Sequence, residues 1–148
     1  MFLIICYGNP ICGDDGVGWV MGQRLAGKKL PAHARVVVCH QLTPDLAEPI
    51  SQAARVVFVD ARLKGNPGEV TCTRLEPGEV FLDPIGHSAK PHTLLGLSRW
   101  LYGKTPEALI VSVAGTRFKP GDPFSPEVER VLPRMTSRVR ACLTACGP

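Results

Sequence analysis

Apolar runs of strand length alternate along this chain with amphipathic segments of helix length, the pattern of an α/β layer fold. "FLIIC" predicts a first strand. The stretch from about Gly16 to Ala26, with Val17, Val20, Met21 and Arg24 spaced by three and four, predicts a helix. "RVVVC" at 35–39 predicts a second strand. "TPDLAEPISQA" opens as a helix, with Thr43 as N-cap, Pro44 at the first helical position, Asp45 in the first turn and Pro49 kinking or breaking it. "RVVFVD" at 55–60 is continuously apolar up to Asp60, as in a strand covered on both faces, and is expected to end on that acid. "GNPGEVTCTRL" reads as a turn and then a strand of alternating character, followed by a Pro- and Gly-rich loop containing "DPIGHSAKPH". A helix is predicted from about Thr93 to Tyr102, stopping at Gly103, and "ALIVSVAG" is the last strand. The closing helix has Ser125 as N-cap, Pro126 at its first position and a kink expected at Pro133. The expected architecture is a three-layer α/β domain spanning 1–148. It has a mostly parallel, twisted sheet of about five strands with helices on both faces, and neither linker nor internal repeat.

Composition narrows the function classes. A chain of 148 residues that is 45% hydrophobic can bury a core, and no polar tract points to disorder. "VVFV" and "ALIVSVA" are too short to cross a bilayer, so no membrane partner is expected. No basic residues precede the first apolar run and no small-residue cleavage site follows it, so a cytoplasmic location is expected. The net charge of +4 is scattered. The densest basic patches, "GKKL" and "RMTSRVR", lack interleaved aromatics and read as solvated faces, so no nucleic-acid partner is expected, and the protein is expected to be a monomer. Six cysteines in a chain of this character are expected to stay reduced. Cys6 and Cys39 fall in predicted strands as small apolar residues. Cys142 and Cys146 are four apart on a predicted helix, with no second Cys or His pair to complete a zinc site.

In open, mostly parallel sheets ligands bind beyond the carboxyl ends of the strands, which selects the loops after "FLIICY", "RVVVC", "RVVFV" and "ALIVSVA". The first of these, "GNPICGDDGVG", resembles a phosphate loop but fits neither glycine fingerprint. Gly13, Gly16 and Gly18 read G-x-x-G-x-G, and no Lys follows. Asp14 and Asp15 would repel a phosphate from the positive end of a helix and suit a cation instead. The simpler reading makes Asp14 an N-cap and Asp15 a favourable first-turn acid. Asp60 brings another carboxylate to the same sheet edge, and the loop "GHSAKPHTLLGL" offers His87 and His92. Two carboxylates and an imidazole suit a borderline divalent metal such as Ni, Zn, Co or Mn, with coordination positions left open for an external ligand.

"GNPICGDDGVG" after a first strand, "FVDA" ending the third, and a histidine followed by "LLGL" resemble the hydrogenase maturation endopeptidases, the nickel-dependent processing proteases of [NiFe] hydrogenases. The similarity extends to "CHQLTPDLAEPI" and "KPGDPFSPEVERVLP" and so covers almost the whole chain. The resemblance implies an endopeptidase that removes the C-terminal extension of a hydrogenase large-subunit precursor after nickel has been inserted. The nickel is supplied by that substrate, and another divalent metal can stand in its place. The three metal-binding positions map onto Asp15, where several relatives carry Glu, onto Asp60, and onto a histidine. Aligning on Leu94 and Leu95 selects His87, and aligning on the local "PH" pair selects His92; the helix start favours His87.

No H-E-x-x-H or G-x-S-x-G motif appears, and no Cys has an evident His partner, so neither a zincin nor a serine or cysteine nucleophile is indicated. Two readings compete: a hydrolase of small amides or phosphoesters with its own metal, and a maturation scaffold that binds nickel and precursor without cutting.

Overall fold

The computed structural model describes residues 1–80 and 89–144. Five strands form one sheet in the order β2-β1-β3-β5-β4: β1 Phe2–Tyr7, β2 Ala34–Cys39, β3 Arg55–Arg62, β4 Val70–Leu75 and β5 Glu107–Ala114. The first four in that order run parallel, and β4 lies antiparallel on β5. Among the described residues four α-helices cover the sheet: α1 Val17–Ala26, α2 Ala47–Gln52, α3 Pro91–Tyr102 and α4 Pro126–Cys142.

Alternation along the central strands sorts the core into two layers. Ile4 and Cys6 of β1, with Val57 and Val59 of β3, point to the side that α1 and α4 cover with Met21, Leu25, Leu132 and Met135. Leu3, Ile5, Val56 and Phe58 point to the opposite side, against Ile50 of α2 and Leu94 and Leu95 of α3. Each of these buried side chains contributes roughly 1.5–3 kcal/mol relative to exposure, which is why "FLIIC" and "RVVFV" show no polar alternation. Both edge strands are less buried, and the exposed Thr73 and Arg74 of β4 blunt the antiparallel edge. At the amino end of the sheet, Glu107 accepts from Arg55 at 2.6 Å and from Arg74 at 3.0 Å, which clips β3, β5 and β4 together.

Several local expectations are corrected. β3 does not end at Asp60; it continues to Arg62, because β5 supplies partners as far as Ala114. The segment after Thr43 is a short 3-10 turn, Pro44–Leu46, followed by α2, and the Thr43 side chain makes no cap bond. Pro49 sits in the first turn of α2, where its missing N–H costs nothing, and the irregularity falls before it. α4 runs unbroken through Pro133. Its cap is as expected: Ser125 Oγ accepts from the Val128 N–H at 3.4 Å, with Pro126 next. α3 ends on Gly103, whose φ of +69° is the left-handed cap conformation that glycine adopts most cheaply.

Candidate functional site at the carboxyl edge

Beyond β1 the chain turns sharply, and its glycines are there because backbone passes where a Cβ would be. A Cβ on Gly8 would lie 1.9 Å from the Asp15 carbonyl oxygen, and one on Gly18 would lie 2.1 Å from that of Tyr7. The acids therefore fall on a 3-10 turn, Gly13–Gly16, that precedes α1 rather than within its first turn.

The two adjacent acids have opposite environments. Asp14 is fully buried. Its Oδ2 accepts from the Thr116 and Arg117 N–H groups at 2.7 and 3.1 Å, and its Oδ1 accepts from the Ser125 N–H at 2.8 Å. Burial pushes its carboxyl up, but these amides and the Ser125 hydroxyl outweigh it and hold the group below the ordinary value. Asp14 is thus neither an N-cap nor a free ligand. It ties the first loop to the connection between β5 and α4.

Asp15 is half-buried, and among the described residues only its Oδ2 is engaged, accepting from the Asn9 N–H at 2.8 Å. Asp60 projects from β3 on the same face as Phe58 and Tyr7. Its Oδ1 accepts from the Ala61 N–H at 2.7 Å, and the Tyr7 hydroxyl donates to its carboxylate. Burial raises the Asp60 pKa to about 7, with Asp15 adding like-charge repulsion and the bonds from Ala61 and Tyr7 pulling the other way. The Tyr7 hydroxyl is itself raised, by burial first and then by the charges of Asp60 and, more weakly, Asp15. Asp15 and Asp60 therefore share one electrostatic neighbourhood, and Tyr7 feels both charges. Two carboxylates at a desolvated edge, one retaining a proton near neutrality, form a surface that a divalent cation would neutralise.

Histidine is the remaining question. His87 lies outside the described residues. His92 is exposed in the first turn of α3, and its carbonyl accepts from the Gly78 N–H at 2.8 Å. A Cβ on Gly78 would meet the His92 ring at 2.4 Å, so the ring is packed on the segment that follows β4. Among the described residues no His, Cys, Asp or Glu joins Asp15 and Asp60 in a group of three able to hold a metal. Ala89, two residues beyond His87, packs on the Asp60 side of the sheet and donates its N–H to the Leu42 carbonyl at 3.1 Å.

Two features escaped the sequence reading. Tyr7 looked like the last residue of an apolar strand; only the register that sets β1 beside β3 brings its hydroxyl to Asp60. His40, just after β2, packs against Trp19 of α1 with the rings tilted by 44° and their centroids 4.6 Å apart, which adds an exposed imidazole to the carboxyl edge. A histidine directly after "RVVVC" was the available signal for it.

The same fold occurs in solved maturation proteases. The hydrogenase maturating endopeptidase HybD from E. coli superposes with a TM-score of 0.77 at 20% identity, over 96% of this chain and 91% of that one. The [NiFe] hydrogenase maturation protease HybD from Thermococcus kodakarensis gives 0.72 at 23% identity, over 95% and 97%. The hydrogenase 2 maturation peptidase from a Thaumarchaeota archaeon gives 0.71 at 20% identity, over 97% of both. No family model matches the chain. Partial matches reach the bifunctional protein FolD of Thermomicrobium roseum, 34% identical over 100 residues, and that of Herpetosiphon aurantiacus, 44% identical over 64 residues. These cover 65% and 43% of this chain, which spans only 33% and 21% of those proteins. Among the described residues no helix is long and apolar enough to cross a membrane.

Proposed function

We propose that this chain is a hydrogenase maturation endopeptidase that removes the C-terminal extension from a nickel-loaded [NiFe] hydrogenase large-subunit precursor. The observation that carries the reading is the shared electrostatic neighbourhood of Asp15 and Asp60, on a fold that superposes over nearly its full length on proteases of that description. The partial FolD matches do not carry an alternative: the first loop has two acids and lacks the G-x-G-x-x-G spacing of a dinucleotide site.

In this reading nickel arrives as part of the substrate. Asp15, Asp60 and His87 fill coordination positions that the precursor leaves open, so an unloaded precursor forgoes those contacts and binds poorly. Asp60 must release its proton to ligate, which couples recognition to pH. Asn9 and Tyr7 fix the orientation of the two carboxylates, so little ordering remains to be done when substrate docks. Cleavage adds one water across one peptide bond, and it follows once the deprotonated Asp60 holds the substrate's nickel.

The test is a time course with purified precursor, with and without nickel. A shortened large subunit and a released C-terminal peptide are expected only from the loaded form. Binding of the loaded precursor without any change in size would replace protease with scaffold. One equivalent of metal retained by the chain alone through dialysis would favour a hydrolase with its own ion.

A further inference from the structure

Away from the acids, two sulfur atoms meet. Cys72 lies in β4, paired with Val111 on the face that α4 covers, and Cys142 is the last residue of α4 and is buried. Their Sγ atoms are 3.5 Å apart although the residues are 70 positions apart in sequence. The gap exceeds a covalent S–S bond by only about 1.5 Å, within reach of a side-chain rotation.

We propose that Cys72 and Cys142 form a reversible dithiol–disulfide site that takes a small-molecule disulfide as its co-reactant. Cys72, half-buried on the sheet edge, attacks first. Cys142, buried at the end of α4 with its sulfur 3.5 Å from that of Cys72, serves as the resolving group. The Cys72 thiolate attacks one sulfur of the co-reactant, forming a mixed disulfide and expelling one thiol. The Cys142 proton passes to solvent, and its sulfur attacks Cys72 and expels the second thiol. The protein loses two hydrogen atoms, and the co-reactant takes up two electrons and two protons to become two thiols. The bond fastens the end of the last helix to the edge strand across the intervening 70 positions, which restricts the unfolded chain more than the folded one.

The experiment treats the full-length chain with oxidised glutathione and follows intact mass, tryptic map and melting temperature. The expected product has lost two hydrogens and has peptide 65–74 joined to peptide 141–148. Fragmentation within the second peptide should place the link at Cys142 rather than Cys146. The link should form in C146S and be absent from C72S and C142S. Oxidation should raise the melting temperature by about 5–10 °C, reversibly on adding dithiothreitol. Glutathione taken up at Cys12 or Cys39 with no internal link, or a link that survives in C142S but not in C146S, overturns the proposal. The wild-type map decides the matter even if a serine variant folds poorly.

Discussion

The Ser125 N–H donates to Asp14 Oδ1 at 2.8 Å across 111 positions of sequence, joining the turn after β1 to the start of α4. Among the described residues the next one, Asp15, makes no such long-range bond and accepts only from Asn9. Replacing Asp14 by Ala strands three backbone amides, two of them on the β5–α4 connection and the third at the start of α4. A loss of about 3–5 kcal/mol is expected, read from chemical denaturation. Because the folded-state pKa of Asp14 is lowered, its stabilisation is present above the ordinary value of 3.8 and fades as pH falls through the lowered one. The stability gap between wild type and Asp14→Ala should therefore narrow in acid.

Asp15→Ala should behave in the opposite way. The unfolding free energy should change by less than about 1 kcal/mol, while processing of nickel-loaded precursor is lost. A stable variant that still cleaves would remove Asp15 from the proposed site.

Asp60→Asn should stabilise the protein in alkali. The folded-state pKa of about 7 exceeds the unfolded 3.8, so the native state holds the proton more tightly and stability declines as pH rises between the two values. The amide removes that penalty. For a partly exposed group, a gain of about 1–2 kcal/mol is expected at pH 8, a melting rise of a few degrees, with the difference shrinking through pH 5 and vanishing only below the ordinary value of 3.8. The same variant should not process precursor.

Tyr7→Phe removes a donor that favours the charged form of Asp60. The pKa of that carboxyl should climb further, and the rising limb of the pH profile for processing should move upward by about half to one pH unit. Activity at saturating pH should be retained. An unmoved limb would show that Asp60 titration does not govern the reaction.

Gly18→Ala tests the loop itself. The added carbon would lie 2.1 Å from the Tyr7 carbonyl oxygen, a backbone atom that cannot swing aside. Displacing the end of β1 should cost about 2 kcal/mol or more and disturb Tyr7 and Asp15 together, visible as coupled losses in melting temperature and processing.

The fold was largely legible because strands covered on both faces, such as "FLIIC" and "RVVFV", leave a continuous apolar signal, and because Pro126 marks a helix start by its fixed φ and Gly103 a helix end by its access to positive φ. Asp60 was misplaced as a strand end because apolarity stops there, whereas pairing with β5 continues to Arg62. The site was legible only as a set of residue types. That Asp14 and Asp15 differ in environment depends on amides from residues 116 to 125, and the contact between Tyr7 and Asp60 depends on register; neither is encoded in local spacing. The Cys72–Cys142 approach is of the same kind: nothing near either cysteine in sequence indicates the other.

The division between the neighbouring acids also sets what each position can become. A Cβ on Gly115 would fall 2.7 Å from Asp14 Cβ, so the enclosure around that side chain has no space for one more methylene. Asp15 is only half-buried and, among the described residues, has one oxygen unengaged, so it can lengthen outward. Drift at this pair should therefore be lopsided, with glutamate accepted at the second acid and refused at the first.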